Sequence, residues 1–219
     1  MKKDENDRVF YFENNFYLTS KKDRLAKVLS HYEIYKKIID LPGEIIECGI
    51  FKGASLSRLI MFRDLLESSN SRNIIGFDTF EDFPETNYEK DKIKRNDFID
   101  KAGKKSIPLK KLKENLYQRN LYENVRLIKG DIIETIPKFV KENPELKIAL
   151  INLDTDIYEP AEIILKYLYP HLVKGGIIMF DDYGVFPGET KAVDEFFKNK
   201  NELIKKVNLN KTPSYIIKK

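Results

Sequence analysis

Five apolar runs that each carry an acidic residue at or near their end constrain the fold of this sequence more than any other feature. They read EIIECGI (44–50), NIIGFDTF (73–80), NVRLIKGD (124–131), KIALINLD (147–154) and GIIMFDD (176–182). Helix-patterned segments separate them, and such alternation is typical of βαβ units and therefore of a parallel sheet. Because the runs are apolar throughout, we expect helices to cover both faces of that sheet.

Apolar residues recur at helical spacing in the segments between and after these runs. The predicted helices cover residues 23–39, 52–69, 132–143, 161–176 and 191–200. We expect Gly175-Gly176 to stop the fourth of them. The lysine-rich stretch 81–120 has helical character in its second half. Two short runs in the tail, LIKKVNL and SYIIKK, favour an antiparallel pair at one edge of the sheet.

We expect a single domain, because no linker rich in glycine, serine or proline interrupts the 219 residues. Within it we predict an N-terminal helical arm or lid over residues 1–40 and the main domain over residues 41–219. The charged N-terminus lacks the apolar core of a signal peptide, and no apolar run approaches the length of a membrane span. Cys48 is the single cysteine and cannot form an internal disulfide. We therefore expect a cytoplasmic protein with no membrane partner.

The charge balance argues against a nucleic-acid partner. The net charge is +4, but 39 basic residues are set against 35 acidic ones, which is a small excess for a nucleic-acid-binding protein. The densest basic segment, KAGKKSIPLKKLK (101–113), fits a solvated helix face or loop. The alternative is an electrostatic patch for a phosphorylated substrate.

Acidic residues at the strand ends predict a binding site, because ligands of open α/β sheets bind outside the carboxyl ends of the strands. These acids are Glu47, Asp78, Asp131, Asp154 and the pair Asp181-Asp182. A single acid at such a place is equally well explained as a helix N-cap. Five strands out of five make the N-cap explanation much weaker.

The first three acids suggest the chemistry of a cofactor. The turn ECGIFKG has glycines at Gly49 and Gly53 but lacks the strict G-x-G-x-x-G fingerprint of dinucleotide sites. Glu47, two residues before the first glycine, suits an ammonium group better than a pyrophosphate. Asp78 suits ribose hydroxyls, and Asp131 can accept from the exocyclic amine of a base. An ammonium group, a ribose and an adenine amine together describe S-adenosylmethionine.

The last two strand ends predict a cation. They carry four carboxylates, those of Asp154, Asp156, Asp181 and Asp182. These groups would repel one another unless a cation lay between them, and oxygen ligands favour Mg²⁺, Mn²⁺ or Ca²⁺. His31 and His171 are expected to be ordinary helix residues, which argues against a zinc site.

These motifs resemble the macrocin O-methyltransferase family, whose members methylate sugar hydroxyls in a metal-dependent way. The similar segments are collinear from about residue 17 and cover most of the chain. They are YLTSKKDRLAKVLSHYEIYKKI (17–38), PGEIIECGIFKGAS (42–55), GFDTFEDFP (76–84), NVRLIKGDIIETIP (124–137), LINLDTDIYEP (150–160), LYPHLVKGGIIMFDDYG (168–184) and PGETKAVDEFF (187–197). The glycine turn alone is weak; the LDTDIYEP and DDYG segments are more specific.

The resemblance implies a class I methyltransferase fold, Rossmann-like, in which residues 41–219 bind S-adenosylmethionine. The implied cofactor residues are Glu47, Cys48, Gly49, Gly53, Ser55, Asp78, Thr79, Phe80, Gly130 and Asp131. Asp154, Asp181 and Asp182 would hold Mg²⁺. The implied catalytic residues are Asp156, as general base, and Asp154. Which of these two aspartates ligates the ion stays open. Because Cys48 lies inside a predicted strand, we also expect its side chain to be a core residue.

The implied activity is O-methylation of a sugar hydroxyl, with S-adenosylmethionine and Mg²⁺ as cofactors. The acceptor would be a nucleotide-linked sugar, a surface-polysaccharide sugar or a natural-product glycoside, and the chain would act as a homodimer. Segment 85–120 departs most from the family and should influence the acceptor. The alternatives are methylation of a nucleic acid or a phenolic diol, a hydroxylase-like reaction, and a partner subunit without catalysis.

Overall fold

The computed structural model describes residues 5–219, with side chains from residue 8 onward, and within this range seven strands form one sheet. The strands are β1 (Glu44–Cys48), β2 (Ile74–Asp78), β3 (Val125–Lys129), β4 (Ile148–Leu153), β5 (Leu172–Phe180), β6 (Lys205–Lys206) and β7 (Ser214–Ile217). Their order is β3-β2-β1-β4-β5-β7-β6. The first five in this order are parallel, and β7 pairs antiparallel with both β5 and β6.

Helices cover both faces of the sheet. They are α1 (Glu5–Thr19), α2 (Lys22–Tyr35), α3 (Ala54–Leu66), α4 (Glu89–Ala102), α5 (Leu109–Gln118), α6 (Ile132–Glu142), α7 (Tyr158–Leu168) and α8 (Pro187–Phe197). Apolar residues of α2, α3 and α5 pack in one core cluster, and those of α6, α7 and α8 pack in the other. The predicted α/β fold, mostly parallel with helices on both faces and an antiparallel edge, is confirmed.

The continuous apolar runs follow from this layering, since a strand between two helix layers has both of its faces buried. In β4 all six residues are buried, and Asn152 is the polar one among them. The strand order reverses between β1 and β4, which places the crevice of this sheet at the carboxyl ends of those two strands.

The predicted helix 161–176 is wrong in its second half. The helix α7 ends at Leu168, a short 3₁₀ turn spans Tyr169–His171, and β5 already begins at Leu172. Pro170 explains the end of the helix, because proline lacks the amide hydrogen that a continuing helix needs. Gly175 lies within the strand, at φ +81°, and its amide donates to the carbonyl of Lys218.

Other elements differ less from the prediction. The stretch 81–120 holds two helices, α4 and α5, where helical character was expected in its second half alone. The helix α8 begins at Pro187, four residues before the predicted start, with proline at a position that suits the first turn. The predicted arm 1–40 contains α1 and α2, and its first four residues lie outside the described range. Among residues 5–219, no helix is long and apolar enough to cross a membrane.

Candidate active site

A cavity of about 470 Å³ opens at the carboxyl ends of β1 and β4, where the strand order reverses. Its wall is formed by the loops that follow the five parallel strands, together with side chains from α2, α3 and α4. Arg24 and Lys27 come from α2, and Phe98 and Ala102 come from α4. The five strand ends therefore surround one space, with the acids of four of them on its wall, at the position where open α/β sheets bind ligands.

Half of the predicted cofactor residues line this cavity. Those on the wall are Gly49, Ser55, Asp78, Thr79 and Asp131. Those set behind the wall are Glu47, Cys48, Gly53, Phe80 and Gly130. The side chains of Cys48 and Phe80 belong to the two core clusters, and burial raises the pKa of the Cys48 thiol. The side chain of Cys48 is therefore a core group, as expected from its place inside a strand, and it does not line the cavity.

Glu47 is the predicted partner of an ammonium group, but its side chain is fully buried beneath Ser55. The Ser55 hydroxyl donates a hydrogen bond to Glu47 Oε1, and Asn152 Nδ2 lies 3.5 Å from the same oxygen. Oε2 has no hydrogen-bond partner among the described residues. Burial raises the pKa of this carboxyl to about 8. Glu47 is thus connected to the cavity through Ser55 and does not line it.

Asp78 holds the turn after β1 against the end of β2. Its Oδ2 accepts hydrogen bonds from the backbone N–H groups of Ile50 (2.7 Å) and Phe51 (3.0 Å), and its Oδ1 accepts from that of Phe80 (2.6 Å). An ionised carboxylate offers about four acceptor positions. Asp78 can therefore organise this turn and still accept a hydrogen bond from a ligand hydroxyl in the cavity.

Gly49 is required by the contact between two loops. Its φ is +89°, and a Cβ atom at this position would lie 1.8 Å from the carbonyl oxygen of Asp154. The Asp154 amide in turn donates to the carbonyl of Cys48 at 2.9 Å. The motif glycine thus lets the loop after β4 pass directly over the turn after β1.

Asp131 is both a helix N-cap and a residue of the cavity wall. It is the N-cap of α6, where its carboxylate accepts a hydrogen bond from the backbone N–H of Ile133 at 2.9 Å. It also lines the cavity, beside Ile132 and Ile133. Asp131 thus combines a structural role at the start of α6 with a place on the cavity wall.

The acidic trio, which we define as Asp154, Asp156 and Asp182, lies at one end of the cavity. One carboxylate oxygen from each residue lies within 4.8 Å of the other two. Asp156 has φ +64°, in the left-handed region that residues other than glycine seldom adopt. Such a strained residue is often found at functional sites. Three carboxylates at this spacing are the ligands that a hard divalent ion prefers.

Burial and mutual repulsion both disfavour the charged forms of the acids at this end of the cavity. Burial, followed by the charges of neighbouring carboxylates, raises the pKa values of Asp154, Asp156 and Glu189 well above their usual range. The same causes raise the pKa of Asp182 to about 6. A cation among these groups would remove the repulsion.

Asp181 was predicted to bind the metal ion together with Asp154 and Asp182, but its carboxylate is engaged by two other side chains. Its Oδ2 is paired with the ammonium group of Lys27, and its Oδ1 lies 3.6 Å from His31 Nε2. Burial opposes ionisation of Asp181, but the contacts with His31 and Lys27 outweigh it and hold the pKa of the carboxyl below its usual range. The geometry therefore brings Asp156, and not Asp181, together with Asp154 and Asp182.

His31 is part of the site, although the sequence indicated an ordinary helix residue. Its side chain is almost fully buried, and its Nδ1 lies 2.9 Å from Nη1 of Arg58. Because a guanidinium group can only donate, Nδ1 accepts this hydrogen bond and the ring hydrogen lies on Nε2, toward Asp181. Burial also lowers the pKa of His31, which favours the neutral ring. Lys27 and His31 are four residues apart on α2 and therefore lie on the same face of this helix. This spacing is the sequence signal that could have indicated a shared role for the two residues.

Glu189 also escaped the sequence analysis. It lies on α8, it is fully buried, and its Oε1 accepts a hydrogen bond from the backbone N–H of Asp182 at 2.9 Å. Its backbone N–H donates to the carbonyl of Asp156 at 3.2 Å. Within residues 8–219, the buried atoms Thr155 Oγ1, Asp181 Oδ1 and Glu189 Oε2 have no hydrogen-bond partner. Unsatisfied buried oxygens beside the acidic trio fit a site that an ion and its ligands complete.

Aromatic side chains form one wall of the cavity. The ring of Phe98, from α4, lies 5.4 Å from that of Phe51, 5.7 Å from that of Phe83 and 6.4 Å from that of Phe186. Arg95 fixes this wall, because its guanidinium group donates to the carbonyls of Phe83 and Pro84. Segment 85–120, which departs most from the resemblance, therefore supplies one side of the cavity.

The fold and this cavity define a protein of class I methyltransferase architecture. A crystal structure of CalS11, a calicheamicin methyltransferase, superposes with a TM-score of 0.77 at 28% identity, covering 95% of this chain and 85% of that chain. The apo structure of CalS11, there named a TDP-rhamnose 3'-O-methyltransferase, gives 0.70 at 25% identity over 95% and 86% of the two chains. The profile of the macrocin-O-methyltransferase (TylF) family matches residues 20–214. The chain therefore belongs to this family, and the resemblance drawn from its motifs is confirmed.

Curated relatives extend the comparison. An 8-demethyl-8-(2,3-dimethoxy-alpha-L-rhamnosyl)-tetracenomycin-C 4'-O-methyltransferase of Streptomyces olivaceus is 29% identical over 66% of this chain and 54% of its own length. Demethyldecarbamoylnovobiocin O-methyltransferase of Streptomyces niveus is 28% identical, over 72% and 59%. Mycinamicin III 3''-O-methyltransferase of Micromonospora griseorubida is 25% identical, over 71% and 61%. The matches thus span between about half and three fifths of these relatives.

Proposed function

We propose that the protein is an S-adenosylmethionine-dependent, Mg²⁺-dependent O-methyltransferase that acts on a hydroxyl group of a sugar. The observation that carries this proposal is the acidic trio, whose oxygens lie within 4.8 Å of one another in the cavity where the fold binds ligands. The names of the related proteins, several of which methylate sugars of natural products or a nucleotide-linked sugar, support the same class of acceptor.

The cofactor would occupy the part of the cavity beneath β1, β2 and β3. S-adenosylmethionine supplies the methyl group as an electrophile on sulfur. Asp78 would accept from the ribose hydroxyls, and Asp131 with Ile132 and Ile133 would contact the adenine; all four line the cavity. The methionine portion would lie along the turn from Gly49 to Ser55, both of which line the cavity, with Glu47 behind Ser55.

The acceptor hydroxyl would lie at the acidic trio. A divalent ion held there lowers the pKa of a hydroxyl that binds to it and fixes the orientation of that group. Asp154 and Asp182 are the proposed ligands, and Asp156 takes the proton as general base. The aromatic wall around Phe98 excludes water and covers the sugar ring. The same residues position the hydroxyl in line with the methyl group.

The acceptor itself is proposed as a class. A nucleotide-linked sugar, a surface-polysaccharide sugar and a natural-product glycoside all offer the neighbouring hydroxyls that an ion can bind. From the family resemblance we also propose that the protein acts as a homodimer, which light scattering of the purified full-length chain tests directly. The cavity wall from α4 is the part of the protein expected to select among acceptors.

Substitution of the trio tests the chemistry. Asp156→Asn should lower kcat by at least about 100-fold, because general-base catalysis contributes at this level. Mn²⁺ affinity, measured by electron paramagnetic resonance, should change little in this variant. Asp154→Asn should weaken Mn²⁺ binding by more than about tenfold and lower activity through loss of the ion. Activity is measured with S-adenosylmethionine, Mg²⁺ and a panel of nucleotide sugars and glycosides, with product mass as the readout.

The outcomes separate the proposal from its competitors. A product heavier by one oxygen identifies a hydroxylase-like reaction, whereas methylation adds one methylene to the mass. Activity that survives both EDTA and Asp154→Asn would refute the role of the metal. Full activity of Asp156→Asn would remove Asp156 from catalysis and leave it as a structural turn residue.

A further inference from the structure

Asp91, in the first turn of α4, bridges the two loops that carry the acidic trio. Its side chain is fully buried, although α4 is otherwise rich in charged, exposed residues. Oδ2 accepts a hydrogen bond from the backbone N–H of Tyr158 at 3.0 Å, and Oδ1 accepts one from that of Gly188 at 2.7 Å. Tyr158 directly follows the loop of Asp154 and Asp156, and Gly188 follows the loop that begins at Asp182.

The helices α7 and α8 both receive their capping group from Asp91. The residues at their N-cap positions are Ile157 and Phe186, whose apolar side chains cannot accept a hydrogen bond. A carboxylate between two helix N-termini satisfies a free N–H group on each helix and interacts favourably with both helix dipoles. A single buried side chain thus fixes how far apart these two helices begin.

The contact between Asp91 and the start of α8 leaves no room for a side chain at position 188. A Cβ atom on Gly188 would lie 1.8 Å from Asp91 Oδ2 and 2.4 Å from the backbone nitrogen of Tyr158. The next residue, Glu189, is hydrogen-bonded to the backbone of both Asp156 and Asp182. A shift of the start of α8 would therefore move two of the three members of the acidic trio.

The same helix also shapes the acceptor side of the cavity. Phe98 lies two turns after Asp91 on α4 and forms the centre of the aromatic wall. A second connection runs from Glu159, on α7, which accepts hydrogen bonds from Thr86 and from the backbone N–H of Asn87. The segment before α4 is therefore tied to the start of α7 as well.

We propose that Asp91 is a positioning residue that sets the spacing of Asp154, Asp156 and Asp182, and that it couples the α4 wall over the acceptor to the assembly of the ion site. This inference rests on the proposed function, because it treats the acidic trio as the place where a divalent ion binds. Asp91 is not among the residues that line the cavity, and it acts through two backbone N–H groups.

Mn²⁺ binding tests the positioning role apart from catalysis. Asp91→Asn keeps the size of the side chain but turns one acceptor oxygen into a donor that faces an N–H group. We expect at least about tenfold weaker Mn²⁺ binding in this variant, as is usual when the support of metal ligands is lost. Asp97→Asn, at an exposed position on the same helix, is the matched charge control and should bind Mn²⁺ as the wild type does.

A second control separates positioning from general loss of stability. Asn143→Ala removes a 2.7 Å hydrogen bond to the carbonyl of Phe139 at the far end of α6. It should lower the melting temperature and leave Mn²⁺ affinity unchanged. Equal Mn²⁺ affinity of Asp91→Asn and the wild type, or an equal loss in Asn143→Ala, would overturn the proposal. If the wild-type protein itself binds no Mn²⁺, the proposed function fails instead.

The coupling between α4 and the ion site is tested on the unmodified protein. The helix α4 carries lysines at exposed positions, so trypsin can report its opening. Saturating Mn²⁺ should slow cleavage within residues 89–105 by at least about tenfold while cleavage in α1 stays unchanged. Equal cleavage rates within 89–105, with and without bound Mn²⁺, would contradict the coupling, and this readout stands even if Asp91→Asn does not fold.

Discussion

The protonation of Glu47 makes the stability of the core depend on pH. It is fully buried on β1, with one oxygen bound by Ser55 and the other without a partner among the described residues. Burial raises its pKa from 4.5 to about 8. The folded state therefore holds a proton that the unfolded state has released, and this favours unfolding increasingly as the pH rises from about 4.5 to about 8. At pH 7 the destabilisation is roughly 3 kcal/mol, at 1.36 kcal/mol for each pKa unit.

Glu47→Gln should remove this dependence. The amide keeps an acceptor for the Ser55 hydroxyl but cannot ionise, so the variant should be more stable than the wild type at pH 8 and similar to it at pH 5. The measurement is the free energy of unfolding in urea between pH 5 and pH 8.5. Parallel curves for the two proteins would show that Glu47 does not titrate within this range.

At the scale of single residues, the sequence predicts the identity of functional groups better than their contacts. The acids after β2, β3, β4 and β5 all lie on the cavity wall, because the position of a strand end follows from its apolar run. The partner of Asp181 could not be foreseen, since Lys27 is 154 positions away in the chain. The contacts of Asp91 could not be predicted for the same reason, because its two partners are 67 and 97 positions away.

The helix α2 contributes a permanent cation to the strand ends. Lys27 pairs with Asp181, and burial, which would lower its pKa, is outweighed by the charges of Asp181 and Asp154, which raise it. The ammonium group thus neutralises part of the acidic cluster before any ion binds. Removing it should leave Asp181 buried with His31 alone beside it, a change that destabilises proteins by roughly 3 kcal/mol.

Lys27→Met is therefore expected to lower the melting temperature of the metal-free protein. It should also enlarge the increase in melting temperature that Mn²⁺ produces. The apolar side chain replaces the stem of the lysine without its charge, so an added ion meets less repulsion. Calorimetry with and without Mn²⁺ measures both quantities. Lys36→Met, which removes an exposed pair with Glu33 at the end of the same helix, is the control and should change neither by much. A smaller Mn²⁺ effect in Lys27→Met would contradict this account.

At the scale of elements, the strands were predictable and the insertion between β2 and β3 was not. The parallel strands are continuous apolar runs, which a strand covered on both faces requires. The helix α4 buries mainly Asp91 and Arg95, so it lacks the apolar stripe by which an amphipathic helix is recognised. The false extension of α7 to residue 176 has a related cause, because apolar residues on both sides of Pro170 and His171 let the helical pattern run on into the start of β5.

For the molecule as a whole, the acidic site couples stability to both protons and metal. The pKa of Asp182 is raised to about 6, and those of Asp154, Asp156 and Glu189 are raised further, because of burial and mutual repulsion. These carboxyls keep protons in the folded state that they lose in the unfolded state. These carboxyls should therefore stabilise the metal-free protein increasingly as the pH falls through about 6, and His31, whose pKa is lowered by burial, offsets part of this gain.

Saturating Mg²⁺ should change the sign of this dependence. The ion binds the ionised carboxylates, so its stabilisation of the folded state grows with pH as protons are released. In the Glu47→Gln background, which removes the other titrating core group, the melting temperature with Mg²⁺ should stay level or fall on acidification, while without Mg²⁺ it should rise. Asp182→Asn should weaken both effects, because it removes one repelling charge and one ligand. Parallel pH profiles with and without Mg²⁺ would mean that the ion does not bind these acids.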